Sequence, residues 1–129
     1  MSNLIEQMVI FKASPHEVYE ALMDSGKHSA FTKSVALISA EMGAEYSAYD
    51  GYITGKNLEL VPDAKIVQSW RAVDWPEDHF SVVTFLFTPV GAGTRLDFTQ
   101  TNLPPGTEEE FIQGWIDNYW EPMKVFLEN

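Results

Sequence analysis

Apolar residues at positions 4, 5, 8, 9, 10 and 11 predict a strand over Leu4–Phe11. Ser14-Pro15-His16-Glu17 follows, with the order of a capping box: serine at the N-cap, proline at the first helical position and glutamate at the third. The helix it opens carries Val18 and Leu22 one turn apart as a buried stripe, and Gly26 is expected to break it before a short second helix that ends near Phe31. From Val35 the pattern turns to β. The runs Tyr46–Tyr49 and Tyr52–Leu60 flank Asp50-Gly51, a pair suited to the positive φ angles of a tight hairpin, and this register sets Gly55 opposite Tyr46. Further strands are expected over Ile66–Ala72, Phe80–Thr88 and Thr94–Thr101. They are joined by Val73–His79 and by a turn over Pro89–Gly93, connections short enough to imply antiparallel neighbours.

The last element begins at Thr107-Glu-Glu-Glu110, which reads as a second capping box with three carboxylates at the positive end of the helix dipole. Apolar side chains at 112, 115, 116, 119, 123, 126 and 127 give it helical spacing, and Pro122 is expected to kink it. The order is a strand, one or two short helices, about six antiparallel strands and a long C-terminal helix. It predicts an α+β domain spanning 1–129, a curved sheet wrapped around that helix, with any gap between them available as a cavity.

Composition narrows the function. With 129 residues and 45% hydrophobic residues the chain can bury a core without a metal or disulfide, and it has no cysteine. The formal charge of −11 disfavours nucleic acid and anionic lipid, and leaves either simple solubility or attraction to a basic partner. Residues 1–12 lack the pattern of a signal peptide, and no apolar run approaches the roughly 20 residues that span a bilayer, so a cytoplasmic location is the expectation. His16, His28 and His79 lack metal-ligand spacing and read as surface histidines. There is no nucleophile elbow, Gly91-Ala-Gly93 reads as a hairpin turn instead of a phosphate loop, and no cofactor is expected.

Seventeen aromatic residues are the stronger signal. Strand parity gathers Trp70, Phe85 and Phe98 with Gln68 and Gln100, and helical spacing adds Trp115 and Tyr119. These seven are either a packed core or the lining of a partly open apolar pocket, with the two glutamines as polar handles. The threonines at 84 and 88 favour an outward-facing even side on their strand.

Three stretches together carry a family resemblance: residues 30–60 with the Asp-Gly-x-Ile-x-Gly hairpin at 50–55, residues 65–79 (KIVQSWRAVDWPEDH), and residues 114–124 (GWIDNYWEPMK). They resemble the C-terminal domain of the activator of the ninety-kilodalton heat-shock chaperone ATPase, within the START-like, birch-pollen-allergen-like superfamily. Ala44 departs from the second glycine common there after Gly43. The resemblance implies the helix-grip fold and a non-enzymatic module that binds a heat-shock chaperone or another protein. Asp74, Trp75, Glu77 and Asp78 are the contact candidates if Trp75 is exposed. A carrier or sensor of a small apolar ligand is the alternative. An enzyme ranks third, because the sequence offers no convincing acid–base pair.

Overall fold

The computed structural model describes residues 4–128; the two ends of the expected 1–129 span, residues 1–3 and Asn129, lie outside them. Strand β1 is Ile5–Phe11, followed by helices α1 (Pro15–Met23) and α2 (Ser25–Thr32). Strands β2 (Glu45–Ala48), β3 (Ile53–Val61), β4 (Lys65–Ala72), β5 (Ser81–Val90) and β6 (Gly93–Thr101) come next. The C-terminal helix consists of α3 (Glu108–Trp115), a π-helical turn (Ile116–Trp120) and α4 (Glu121–Glu128). The strands form one antiparallel sheet in the order β1-β6-β5-β4-β3-β2, so the first strand closes against the last. The curved sheet and its long C-terminal helix are the expected helix-grip arrangement.

Local chemistry explains most boundaries. The Ser14 hydroxyl accepts from the Glu17 N–H while the Glu17 carboxylate accepts from the Ser14 N–H, completing the first capping box. The helix break lies at Asp24 instead of Gly26. Asp24 ends α1 and caps α2, with its carboxylate accepting from the Lys27 N–H, so Gly26 is carried inside α2. The second capping box does not form. The Thr107 hydroxyl donates to the Pro104 carbonyl, which keeps it in the preceding turn and away from the helix N–H groups. Strand β5 runs through Pro89 to Val90, leaving Gly91-Ala92 as the turn into β6.

The hairpin register places Tyr46 opposite Gly55 as expected. A Cβ on Gly55 would lie 1.9 Å from the Ser69 carbonyl oxygen and 2.8 Å from the Tyr46 ring, so only glycine admits this approach. At the same bend the Ser69 hydroxyl accepts from the Lys56 N–H, and the Ser69 carbonyl accepts from the Tyr46 hydroxyl at 2.7 Å. The ladder shifts register just beyond, between Asn57 and Glu59, which adds to the local bend.

On β5 the odd residues Val83, Phe85 and Phe87 face the core and Leu86 and Thr88 face out, as the threonines suggested. On the C-terminal helix the apolar stripe is displaced from its expected course. Trp115, Tyr119, Trp120 and Met123 are buried, whereas Ile112 and Phe126 reach the surface. The cause is the π turn, in which the Glu121 N–H reaches back five residues to the Ile116 carbonyl. About one turn thus separates Trp115 from Trp120, and their rings stack at 5.5 Å with an angle of 21°.

Gly55→Ala is expected to destabilise the protein by about 2 kcal/mol or more, because backbone has to move. Gly51→Ala, with φ +88 but open space around it, is expected to cost about 1 kcal/mol. Denaturant midpoints of the two variants check the order.

Candidate functional site: an aromatic interior and its open mouth

The seven residues grouped from parity and spacing do converge, between β4–β6 and the C-terminal helix. Trp115 is the centre. Its ring lies 4.4 Å from Phe98, 4.7 Å from Tyr119, 5.7 Å from Trp70 and 6.1 Å from Phe85. The space left deep among them is about 10 Å³, bordered by Leu22, His28, Gln68, Trp70, Trp115 and Tyr119 among others. That is room for about one water. The interior is filled by its own rings.

The two glutamines are not free handles. Gln100 accepts from the Trp115 indole N–H at 2.8 Å and donates to the Ser81 hydroxyl at 2.9 Å. Gln68 donates to the Asn57 side-chain oxygen at 3.0 Å, and Asn57 in turn donates to the Ser39 and Glu41 carbonyls. Among the described residues, no buried side-chain nitrogen or oxygen lacks a partner.

His28 corrects the expectation of three surface histidines. It is buried, stacked on Phe31 at 5.0 Å, with Nδ1 3.0 Å from the Leu22 carbonyl and Nε2 2.9 Å from the Tyr119 hydroxyl. A carbonyl only accepts, so Nδ1 carries the proton and Nε2 receives the tyrosine hydrogen. Burial lowers the His28 pKa and holds the ring neutral, and burial raises that of Tyr119 far above the usual phenol range. His16 is exposed beside Asp63, and His79 meets the Asn102 carbonyl. Only the spacing of His28 three residues before Phe31 hinted at its inward face.

Trp75, a contact candidate on condition of its exposure, is buried at 8% exposure. Its ring sits 5.4 Å from Trp70 and 5.5 Å from both Phe111 and His79. The Arg71 guanidinium donates to the Trp75 and Pro76 carbonyls and pins the loop from outside. Asp74, Glu77 and Asp78 remain exposed around it.

Above the filled interior a cleft opens between the β2–β3 hairpin and α3, with a volume of about 460 Å³. Tyr49, Tyr52, Trp70, Phe111, Trp115 and Tyr119 supply its aromatic walls. Phe111, Trp115 and Asn118 reach it together because they recur at helical spacing, a signal the sequence contains for Phe111 and Asn118 as it does for Trp115. Tyr49 closes one end. It sits in the left-handed region at φ 51, as does Asp50 at φ 57, and its hydroxyl donates to the Asn118 carbonyl at 2.6 Å. In an α-helix that carbonyl would pair with residue 122, which is proline and has no N–H to give. The tyrosine replaces the missing donor, and partial burial pushes its pKa up to about 12. The hairpin is also tied to the loop after α2, where the Asp50 carboxylate accepts from the Val35 N–H.

The neutral state of His28 has a pH consequence. The unfolded chain protonates this residue near its ordinary pKa of 6.5, while the buried ring resists. The folded state therefore loses stability as pH falls below that value, by at most about 1.4 kcal/mol per pH unit, until the lowered folded value is reached. Unfolding free energies at pH 7.5 and 5 are expected to show the advantage of the native protein over His28→Gln shrinking toward acid. The comparison cancels the contributions of His16 and the carboxylates.

The family model described as "Activator of Hsp90 ATPase homolog 1-like protein" matches residues 12–128. The human activator of 90 kDa heat shock protein ATPase homolog 1 is 34% identical over 114 residues, covering 88% of this chain and 34% of that protein. A Dictyostelium discoideum homologue is 35% identical, covering 88% of this chain and 30% of its own. The chain thus spans about a third of the length of these curated relatives. The crystal structure of an HSP90 activator from Plasmodium falciparum superposes with a TM-score of 0.92 at 27% identity, covering 97% of this chain and 96% of that one.

Proposed function

The chain belongs to the Activator of Hsp90 ATPase homolog 1-like family, and from that premise we propose that it is a non-enzymatic, co-chaperone-type interaction module for a 90 kDa heat-shock ATPase. The observation that carries this reading is the fit, over nearly the whole of both chains, to a structure described as an HSP90 activator. The filled interior supports it. Its buried polar groups are committed to one another, which leaves recognition to the surface.

The contact candidates are the exposed carboxylates Asp74, Glu77 and Asp78. Trp75 serves them from below, as a rigid base between Trp70 and Phe111. A net charge of −11 suits this loop to a basic partner surface. A second reading, a carrier or sensor of a small ligand, is favoured by the 460 Å³ cleft at the mouth of the fold, a volume within the usual range for small-molecule sites.

ATPase turnover of the chaperone is expected to rise on addition of this protein at saturating concentration. Charge reversal of Asp74, Glu77 and Asp78 to lysine is expected to weaken binding about tenfold and to flatten its salt dependence. Unchanged turnover with no detectable binding would remove the co-chaperone reading.

A further inference from the structure

The cleft at the mouth has a chemical character that its aromatic walls alone do not describe. Six aromatic side chains line it, and among the described residues the charged ones in its lining are Asp50 and Glu110. A third carboxylate, Asp74, stands at the rim, where it accepts from the Tyr52 hydroxyl at 3.2 Å. Among the described residues, no lysine or arginine lines the cleft. Lys33, next in sequence to the lining residue Ser34, borders a separate groove on the far side of Tyr49, where Asp117 and Glu121 also lie. The Asp50 carboxylate is held in place by the Val35 N–H, and Glu110 projects from the first turn of α3.

Ring faces carry negative electrostatic potential and attract cations, most strongly for tryptophan. Carboxylates at the rim add to that attraction, and the overall negative charge enriches cations near the surface. A wholly apolar ligand would gain nothing from Asp50 and Glu110 and would strip water from them at a cost. An anion would be repelled by both. We infer that the cleft between the β2–β3 hairpin and α3 binds a small organic ammonium with an apolar body, the body lying on Trp70, Phe111 and Trp115 and the cationic head directed to Glu110 and Asp50. This assignment rests on the small-ligand reading of the cleft and is independent of the chaperone reading.

The test is a titration of the full chain with benzylammonium, benzyl alcohol and benzoate at low and high salt, followed by amide and indole signals in ¹H–¹⁵N spectra. Benzylammonium is expected to shift Gly114, Asn118 and the Trp70 and Trp115 indoles, to bind about fivefold or more tightly than benzyl alcohol, and to weaken with salt. Benzoate is expected not to bind. Glu110→Gln, a change on the surface of α3 that leaves the fold intact, is expected to weaken benzylammonium about fivefold without altering benzyl alcohol. Equal affinity for benzylammonium and benzyl alcohol would overturn the cation assignment while leaving a small-ligand cleft. No binding by any of the three, or shifts confined to residues remote from the cleft, would overturn both.

Discussion

The hydrogen bond from the Trp115 indole to Gln100 is the contact on which the rest of the structure turns. It begins a chain of donors that all run in one sense. The indole N–H donates to Gln100 on β6, the Gln100 amide donates to Ser81 on β5, and the Ser81 hydroxyl donates to the Trp70 carbonyl on β4. Each member is buried, so each bond acts at low dielectric and polarises the next. One polar thread thus fastens the helix to three strands. Without it, the amide of Gln100 would be left unsatisfied inside the core, a cost of about 1–3 kcal/mol.

The helix reaches this position through a defect. A regular α-helix through 115–123 would turn Trp120 away from Trp115 and leave Pro122 facing a carbonyl it cannot satisfy. The π turn brings the two tryptophans into a stack, and Tyr49 takes over the Asn118 carbonyl. Tyr49 does so from a left-handed conformation unusual for a bulky residue, which costs on the order of 1 kcal/mol or more. The hairpin and the helix therefore constrain each other, and the cleft between them is the space that this mutual constraint leaves open.

The fold was largely legible because its signals are local. The Ser14 capping box, the Asp50-Gly51 hairpin with Gly55 across from Tyr46, and the alternation along β4–β6 each follow from a few neighbouring residues. What escaped depends on contacts distant in sequence. The second capping box failed because Thr107 found a carbonyl behind it. The apolar stripe of the last helix slipped at the π turn, and the Asn118 carbonyl that Pro122 cannot serve is taken by Tyr49, about seventy residues earlier. The loop sequence around Trp75 left its exposure open, because the residues that enclose it, Trp70 and Phe111, belong to two other elements. His28 meets Tyr119 across 91 residues, a pairing no local pattern encodes. The seven residues grouped by parity do lie together, but as a packed interior whose glutamines serve the protein's own strands and indole.

A filled, threaded interior is the premise on which the proposed recognition falls to the outside of the molecule, to the acidic loop over Trp75 and the cleft beside Tyr49. The most direct measurement of that claim is solvent hydrogen exchange of the Trp115 indole N–H. If the thread holds as described, this proton exchanges only on global unfolding, as slowly as the slowest amides of β5 and β6. Exchange faster by several orders of magnitude, with β5 and β6 still protected, would show that the helix lifts from the sheet and that the interior opens as a chamber, contrary to this account.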